Sequence, residues 1–191
     1  TVSLHQGSPD QVARMVIEET AEIGMATESL ANYPELVTLP CYEWQHVLVM
    51  PKNHPLAGVK QITLERLQEH PLVTYHPSFT GRSRIDQAFA HQGLTPQIAL
   101  EAIDSDVIKT YVSLGMGVGV VAEMAVQDGL PDQLISRPAG QLFGTNTARV
   151  AFKRGSYLRH FVLEFAQMLS NRLSRDLVLK ALEGRHTDYE L

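Results

Sequence analysis

The stretch DSDVIKTYVSLGMGVGVVAE, residues 104 to 123, decides the fold. Asp104 and Asp106 read as caps of a helix over SDVIKTYVSLG, because short polar side chains accept from the free N–H groups of a first turn. Val107, Ile108, Tyr111 and Val112 fall on one face of that helix. Gly115 ends it, and VGVVAE reads as a strand in which Gly117 and Gly119 allow close packing. The order is helix, glycine, strand. A dinucleotide loop needs strand, glycine, helix, so these glycines do not argue for a nucleotide.

Outward from this unit, strands and helices alternate along the chain. QIALEA, just upstream, is a strand. Before it lies HPSFTGRSRIDQAF, residues 76 to 89, which leads into a helix whose buried face carries Ile85, Ala88 and Phe89 and whose end is Gly93. LVTYH is the strand preceding that loop. TLERLQEH is a short helix capped by Thr63 and stopped by Pro71. LVTLPCYEWQHVLVMP is a long extended stretch broken by Pro40. Near the start, VSLHQG alternates and reads as a strand. In SPDQ, Ser8 and Gln11 form a capping box with Pro9 at the first helical position. IGMATE reads as a second strand, making a β-α-β unit with parallel strands. Downstream, LISRPA and ARVAFKRG are strands, and helices run from Tyr157 to Leu169 and from Ser174 to Leu182. The tail HTDYEL is polar and expected to fray. Alternation of this kind defines an α/β fold.

The chain has 191 residues and a net charge of −5 at pH 7, with 44% apolar residues. It therefore lacks the basic surface that gives nonspecific affinity for DNA or RNA. A lone cysteine, Cys41, allows no internal disulfide and fits a reducing, cytoplasmic setting. No apolar run is long enough to cross a bilayer, so no membrane partner is expected. The eight histidines lack metal-ligand spacing. HExxH and GxSxG are absent, so neither an enzyme nor a cofactor is expected.

Two segments offer ligand chemistry. In HPSFTGRS, Thr80 or Ser83 can cap the helix that begins there, and a helix start accepts anions through its free N–H groups. Gly81 permits close approach of a ligand to the backbone. Ser78, Thr80 and Ser83 add neutral donors, and Arg82 or Arg84 a charged one. In MATES, residues 25 to 29, Thr27 and Glu28 lie at the carboxyl edge of a strand, where ligands of open α/β sheets bind. Taken singly, each segment also reads as ordinary structure: a helix cap with surface arginines, and a threonine bonded to its own loop. Trp44, the sole tryptophan, lines a cleft or belongs to the core.

QGSPDQ, ATESL, LPCYEW, HPLAG, FTGRSRIDQAF, DSDVIKTYVSLGMGVGVVAEMAV and FGTN together resemble the effector-binding domain of the CysB/Cbl group of LysR-type transcriptional regulators, from residue 2 to about 182. The resemblance implies a fold like the type 2 periplasmic binding proteins, with two α/β lobes and a ligand cleft between them. Residues 1–42 and 146–191 would form lobe I and residues 43–145 lobe II. It implies a small anionic effector of sulfur metabolism, such as sulfate, thiosulfate, acetylserine or adenylyl sulfate. Thr27 and Thr80 match the family's binding threonines, and Tyr42 and Trp44 its cleft aromatics. Ser78, Gly81 and Arg82 complete the expected effector set. The family's sensor domain starts with a further strand and helix, so this chain would open at the second strand. DNA would be bound only through an N-terminal helix-turn-helix not present here. A homodimer or homotetramer is implied, with the helices at Ser8 to Thr20 and Ile85 to Gln92 as candidate contacts. A transporter's solute-binding protein shares the fold and the anion chemistry. An enzyme on the same scaffold would need an acid/base or nucleophile constellation that the sequence does not show.

Overall fold

A computed structural model of the chain describes residues 2–184. In chain order its elements are α1 (Pro9–Ile17), β1 (Gly24–Thr27), β2 (Leu36–Pro51), α2 (Leu64–Leu67), β3 (Leu72–Tyr75), α3 (Thr80–His91), β4 (Ile98–Ala102), α4 (Ser105–Ser113), β5 (Val118–Ala122), β6 (Leu134–Pro138), α5 (Gly140–Phe143), β7 (Thr145–Lys153), α6 (His160–Leu169) and α7 (Arg175–Leu182). These form two compact units. One comprises the chain up to Glu43 together with Asn146 onward; the other runs from Trp44 to Thr145.

The unit from Trp44 to Thr145 is a sheet in the order β6-β2-β5-β3-β4. β3 is parallel to both β4 and β5, while β2 is antiparallel to β5 and β6. Its central strands, β2, β3 and β5, are apolar on both faces, as helix-covered strands must be. Leu48, Met50, Leu72, Val118 and Val120 pack with Ile85 and Phe89 of α3 and with Leu64 and Leu67 of α2. On the other face, Val47, Val49, Val73 and Val121 pack with Ile108 and Val112 of α4. Two glycines permit this closeness. A Cβ on Gly119 would come within 2.9 Å of Val112, and one on Gly117 within 2.1 Å of the Pro71 carbonyl oxygen.

In the other unit, β1 pairs antiparallel with β7, and β7 neighbours β2. Leu39, Cys41, Val150 and Phe152 face α6 and α7 across a core holding Val162, Leu163, Ala166, Leu177 and Val178. Ala13 and Val16 of α1 meet Leu30, Leu36 and Ala151. The capping box of α1 is present in full: Ser8 accepts from the Gln11 N–H, and Gln11 accepts from the Ser8 N–H.

Several expectations fail here, each for a physical reason. VSLHQG is not a strand; Val2 and Leu4 are 81% and 94% exposed, and alternation without a partner backbone builds no ladder. The expected parallel β-α-β opening is therefore absent, and β1 takes its partner from the distant β7, antiparallel. Pro40 does not break β2, which runs unbroken from Leu36 to Pro51; a proline removes one donor but its φ suits an extended chain. α1 stops at Ile17, and Glu19 follows at φ 61. Neither Thr80 nor Ser83 caps α3, since Thr80 is already its first residue and the cap position, Phe79, has no side-chain bond to give. Asp104 caps α4 through the Asp106 N–H, but Asp106 itself sits in the first turn. On α4 only Ile108 and Val112 are buried, with Val107 and Tyr111 at 41% and 37% exposure. The tail HTDYEL lies outside the described residues.

Candidate functional site

The sheet topology of the Trp44–Thr145 unit picks out one place. The chain leaves β3 through α3 toward β4, and leaves β5 in the opposite direction toward β6. The carboxyl ends of β3 and β5 thus flank a point where connections diverge, the place at which open α/β sheets bind ligands. The Ala122 N–H at the end of β5 donates to the Tyr75 hydroxyl at the end of β3, 3.1 Å away. Burial pushes the Tyr75 phenol up, so it stays neutral and available as that acceptor.

The segment after β3 is HPSFTGRS. The His76 N–H donates to the Ala102 carbonyl at the end of β4 (3.0 Å), and the Phe79 N–H donates back to the His76 carbonyl (3.0 Å). His76 Nδ1 accepts from the Ser78 N–H at 3.2 Å and lies 3.0 Å from the Ser78 hydroxyl. α3 then begins at Thr80, with no side-chain bond from its cap residue. Thr80 and Ser78 are thus placed at the start of a twelve-residue helix that carries no acidic residue in its first turn. That end is electrostatically receptive to a negative group.

The other expected residues take less open positions. Gly81 is buried. The space a Cβ would occupy there is bounded by His46 Nε2 at 3.1 Å and Trp44 Cη2 at 3.3 Å. Its smallness therefore admits the protein's own rings. Trp44 is 8% exposed and meets His46 edge-on at 5.0 Å, and His46 in turn meets Phe143 at 5.6 Å. Trp44 is a core residue of its unit. Arg82 is also buried, at 7% exposure, and its guanidinium is engaged by Asp86, Glu101 and the Tyr75 carbonyl. Burial draws its pKa down, but the bonds to Asp86 and Glu101 outweigh that and hold it above its ordinary value. It is no surface arginine.

In the other unit, Thr27 ends β1 and its hydroxyl lies 3.3 Å from that of Ser29. Glu28 accepts from the Thr147 N–H at 3.3 Å, which ties the ATES turn to β7. Tyr42 lies on β2, half-buried beside the α6–α7 core, and burial pushes its phenol up. Cys41 is buried and free, with Sγ 3.6 Å from the Leu169 carbonyl; burial pushes the thiol up and so keeps it unreactive. Among the described residues no group of three or more His, Cys, Asp or Glu side chains is placed to hold a metal. No described helix is long and apolar enough to cross a membrane.

Sequence reasoning passed over His46, His76, Asp86 and Glu101. The i, i+4 spacing of Arg82 and Asp86 was a readable pairing signal. Glu101, on a neighbouring strand, left none.

Two α/β units, one with a hydroxyl-bearing loop at a diverging pair of parallel strands, are the plan of the periplasmic-binding-protein-like class. Comparison with known proteins narrows this. Residues 1–174 match the LysR substrate binding domain, and the chain belongs to that family. The HTH-type transcriptional regulator CysB of Burkholderia cenocepacia is 50% identical over 190 residues, covering 100% of this chain and 61% of that protein. The HTH-type transcriptional regulator SsuR of the same organism is 46% identical over 173 residues, covering 91% of this chain and 56% of that protein. The crystal structure of the cofactor-binding domain of the Cbl transcriptional regulator superposes with a TM-score of 0.86 at 42% identity, covering 94% of this chain and 79% of that one. The chain spans less than two thirds of the length of the two curated relatives.

Proposed function

We propose that the chain is the effector-sensing part of a LysR-type transcriptional regulator of sulfur assimilation and cysteine biosynthesis genes, and that it recognises a sulfate-like anion or an acetylserine-type metabolite. The observation that carries this reading is the hydroxyl-bearing start of α3 at the diverging ends of β3 and β5, on a chain half identical to CysB. Ser78 and Thr80, at the start of α3, are its candidate donors. Neutral hydroxyls and backbone N–H groups suit a dianion on a chain of net charge −5. Each such bond to a charged group contributes about 1.5–3 kcal/mol. Family membership favours this role over that of a transporter component. The setting is cytoplasmic, and DNA contact falls to a helix-turn-helix outside this chain.

Thermal unfolding with millimolar sulfate, thiosulfate, acetylserine or adenylyl sulfate tests it. A ligand at about 100 times its Kd stabilises by about 2.7 kcal/mol, and Thr80→Ala should shrink that shift. No shift with any of the four ligands contradicts the reading.

The sensor is also proposed to associate as a homodimer or homotetramer. The stripes of α1 and α3 face their own cores, with Ala13, Val16, Ile85 and Phe89 buried. Exposed apolar side chains lie on and near α4, at Ile103 (67% exposed), Val107, Tyr111 and Leu114 (72%), and also on α6, at Phe161, Phe165 and Met168 (82%). These fit a self-contact better. Light scattering of Leu114→Ser checks this, a lower mass than the parent chain being expected and an unchanged mass refuting it.

A further inference from the structure

Arg82 is buried, and its guanidinium has three acceptors within its own unit. Nε donates to Asp86 Oδ1 at 2.8 Å, Nη1 to Glu101 Oε1 at 2.7 Å, and Nη1 also to the Tyr75 carbonyl at 3.0 Å. The first bond stays within α3, the second reaches β4, and the third grips the last residue of β3. One planar guanidinium therefore connects the two ends of the loop 76–79 and the adjacent strand. Its rigid fork holds these three acceptors in one geometry, which a flexible ammonium does not. Its charge is matched by two carboxylates, so little of it remains for an outside anion.

We propose that Arg82 is a positioning residue, holding the Ser78 and Thr80 donors in place through Tyr75, Asp86 and Glu101 without touching the ligand. The proposal rests on the anion-binding reading above, yet half of it is testable without any ligand.

Two readouts are needed on the wild-type chain, Arg82→Met, Thr80→Ala, the double variant, and the milder Glu101→Gln, which keeps a neutral acceptor if Arg82→Met does not fold. The first is amide hydrogen exchange over residues 76–84. Positioning predicts faster exchange there in Arg82→Met and Glu101→Gln, with the β2 and β5 amides unchanged. The second is affinity for inorganic sulfate. Arg82→Met should weaken it by about tenfold, the factor equivalent to roughly 1.4 kcal/mol. In the Thr80→Ala background the same substitution should cost clearly less, because one of the two donors it positions has gone. Three results overturn the proposal: unchanged exchange over 76–84, sulfate affinity that ignores Arg82→Met, or fully additive losses, which mark a direct ligand contact. A wild-type chain that binds none of the anions sinks the sensing role instead, while exchange over 76–84 still decides whether Arg82 positions the loop.

Discussion

Gly117→Ala is the sharpest test of how the Trp44–Thr145 unit is assembled. Gly117 has φ 151, a backbone region that side chains rarely adopt, and its Cβ would lie 2.1 Å from the Pro71 carbonyl oxygen. That oxygen cannot retreat freely. It accepts the Val118 N–H at 2.8 Å, and the next residue, Leu72, opens β3 opposite Val118. Relief requires a shift of about 1 Å in the strand pair itself, since close-packed interiors deform little. Backbone strain of this kind costs about 1–3 kcal/mol, and overpacking adds about 1–3 kcal/mol. The expected loss is therefore about 4 kcal/mol, a large share of an ordinary domain's 5–15 kcal/mol. Gly129 supplies the control. It also has positive φ, 106, but nothing lies within 4 Å of its Cβ position. Gly129→Ala should show the strain alone, at about 1–2 kcal/mol. Urea unfolding followed through the sole tryptophan, buried Trp44, reads both. Equal losses in the two variants, or less than about 1 kcal/mol for Gly117→Ala, would refute the proposed clash.

Other outcomes are expected. Phe89→Ala, at a fully buried position between α3 and the sheet, should destabilise by about 3–5 kcal/mol in the same urea experiment. Ser8→Ala removes half of the α1 capping box and should cost about 1 kcal/mol by thermal unfolding. His54, 4.7 Å from the His70 ring, has its pKa lowered by burial and then by His70. Its neutral form is thus favoured on folding, so its contribution is present above the ordinary histidine pKa and lost as pH falls through the lowered one. Stability measured from pH 7 down to pH 5 should fall, and His54→Gln should flatten that decline.

Much of the fold was legible because local signals and burial agreed. The apolar runs at Val47–Met50, Leu72–Val73 and Val118–Val121 read as extended chain, and each lies in a strand with helices packed on its faces. Gly93 and Gly115 read as helix ends and take positive φ. What failed depended on partners far along the chain. VSLHQG had the right alternation with no ladder to join, and β1 found β7 more than a hundred residues away. The candidate loop was legible as a hydroxyl-bearing helix start. Its interior wiring was not. Gly81 looked like room for a ligand until Trp44 and His46 filled the space, and Arg82 looked like a ligand donor until Glu101 arrived from β4. Both outcomes are set by tertiary packing, which spacing in one segment does not encode.

The hydroxyl-bearing start of α3 is the proposed seat of a small anion of sulfur metabolism. Calorimetric titration with sulfate, thiosulfate, acetylserine and adenylyl sulfate measures this most directly. Saturable binding of at least one, weakened about tenfold or more by Thr80→Ala, is the predicted result. Flat titrations for all four, or binding that Thr80→Ala leaves untouched, would contradict it.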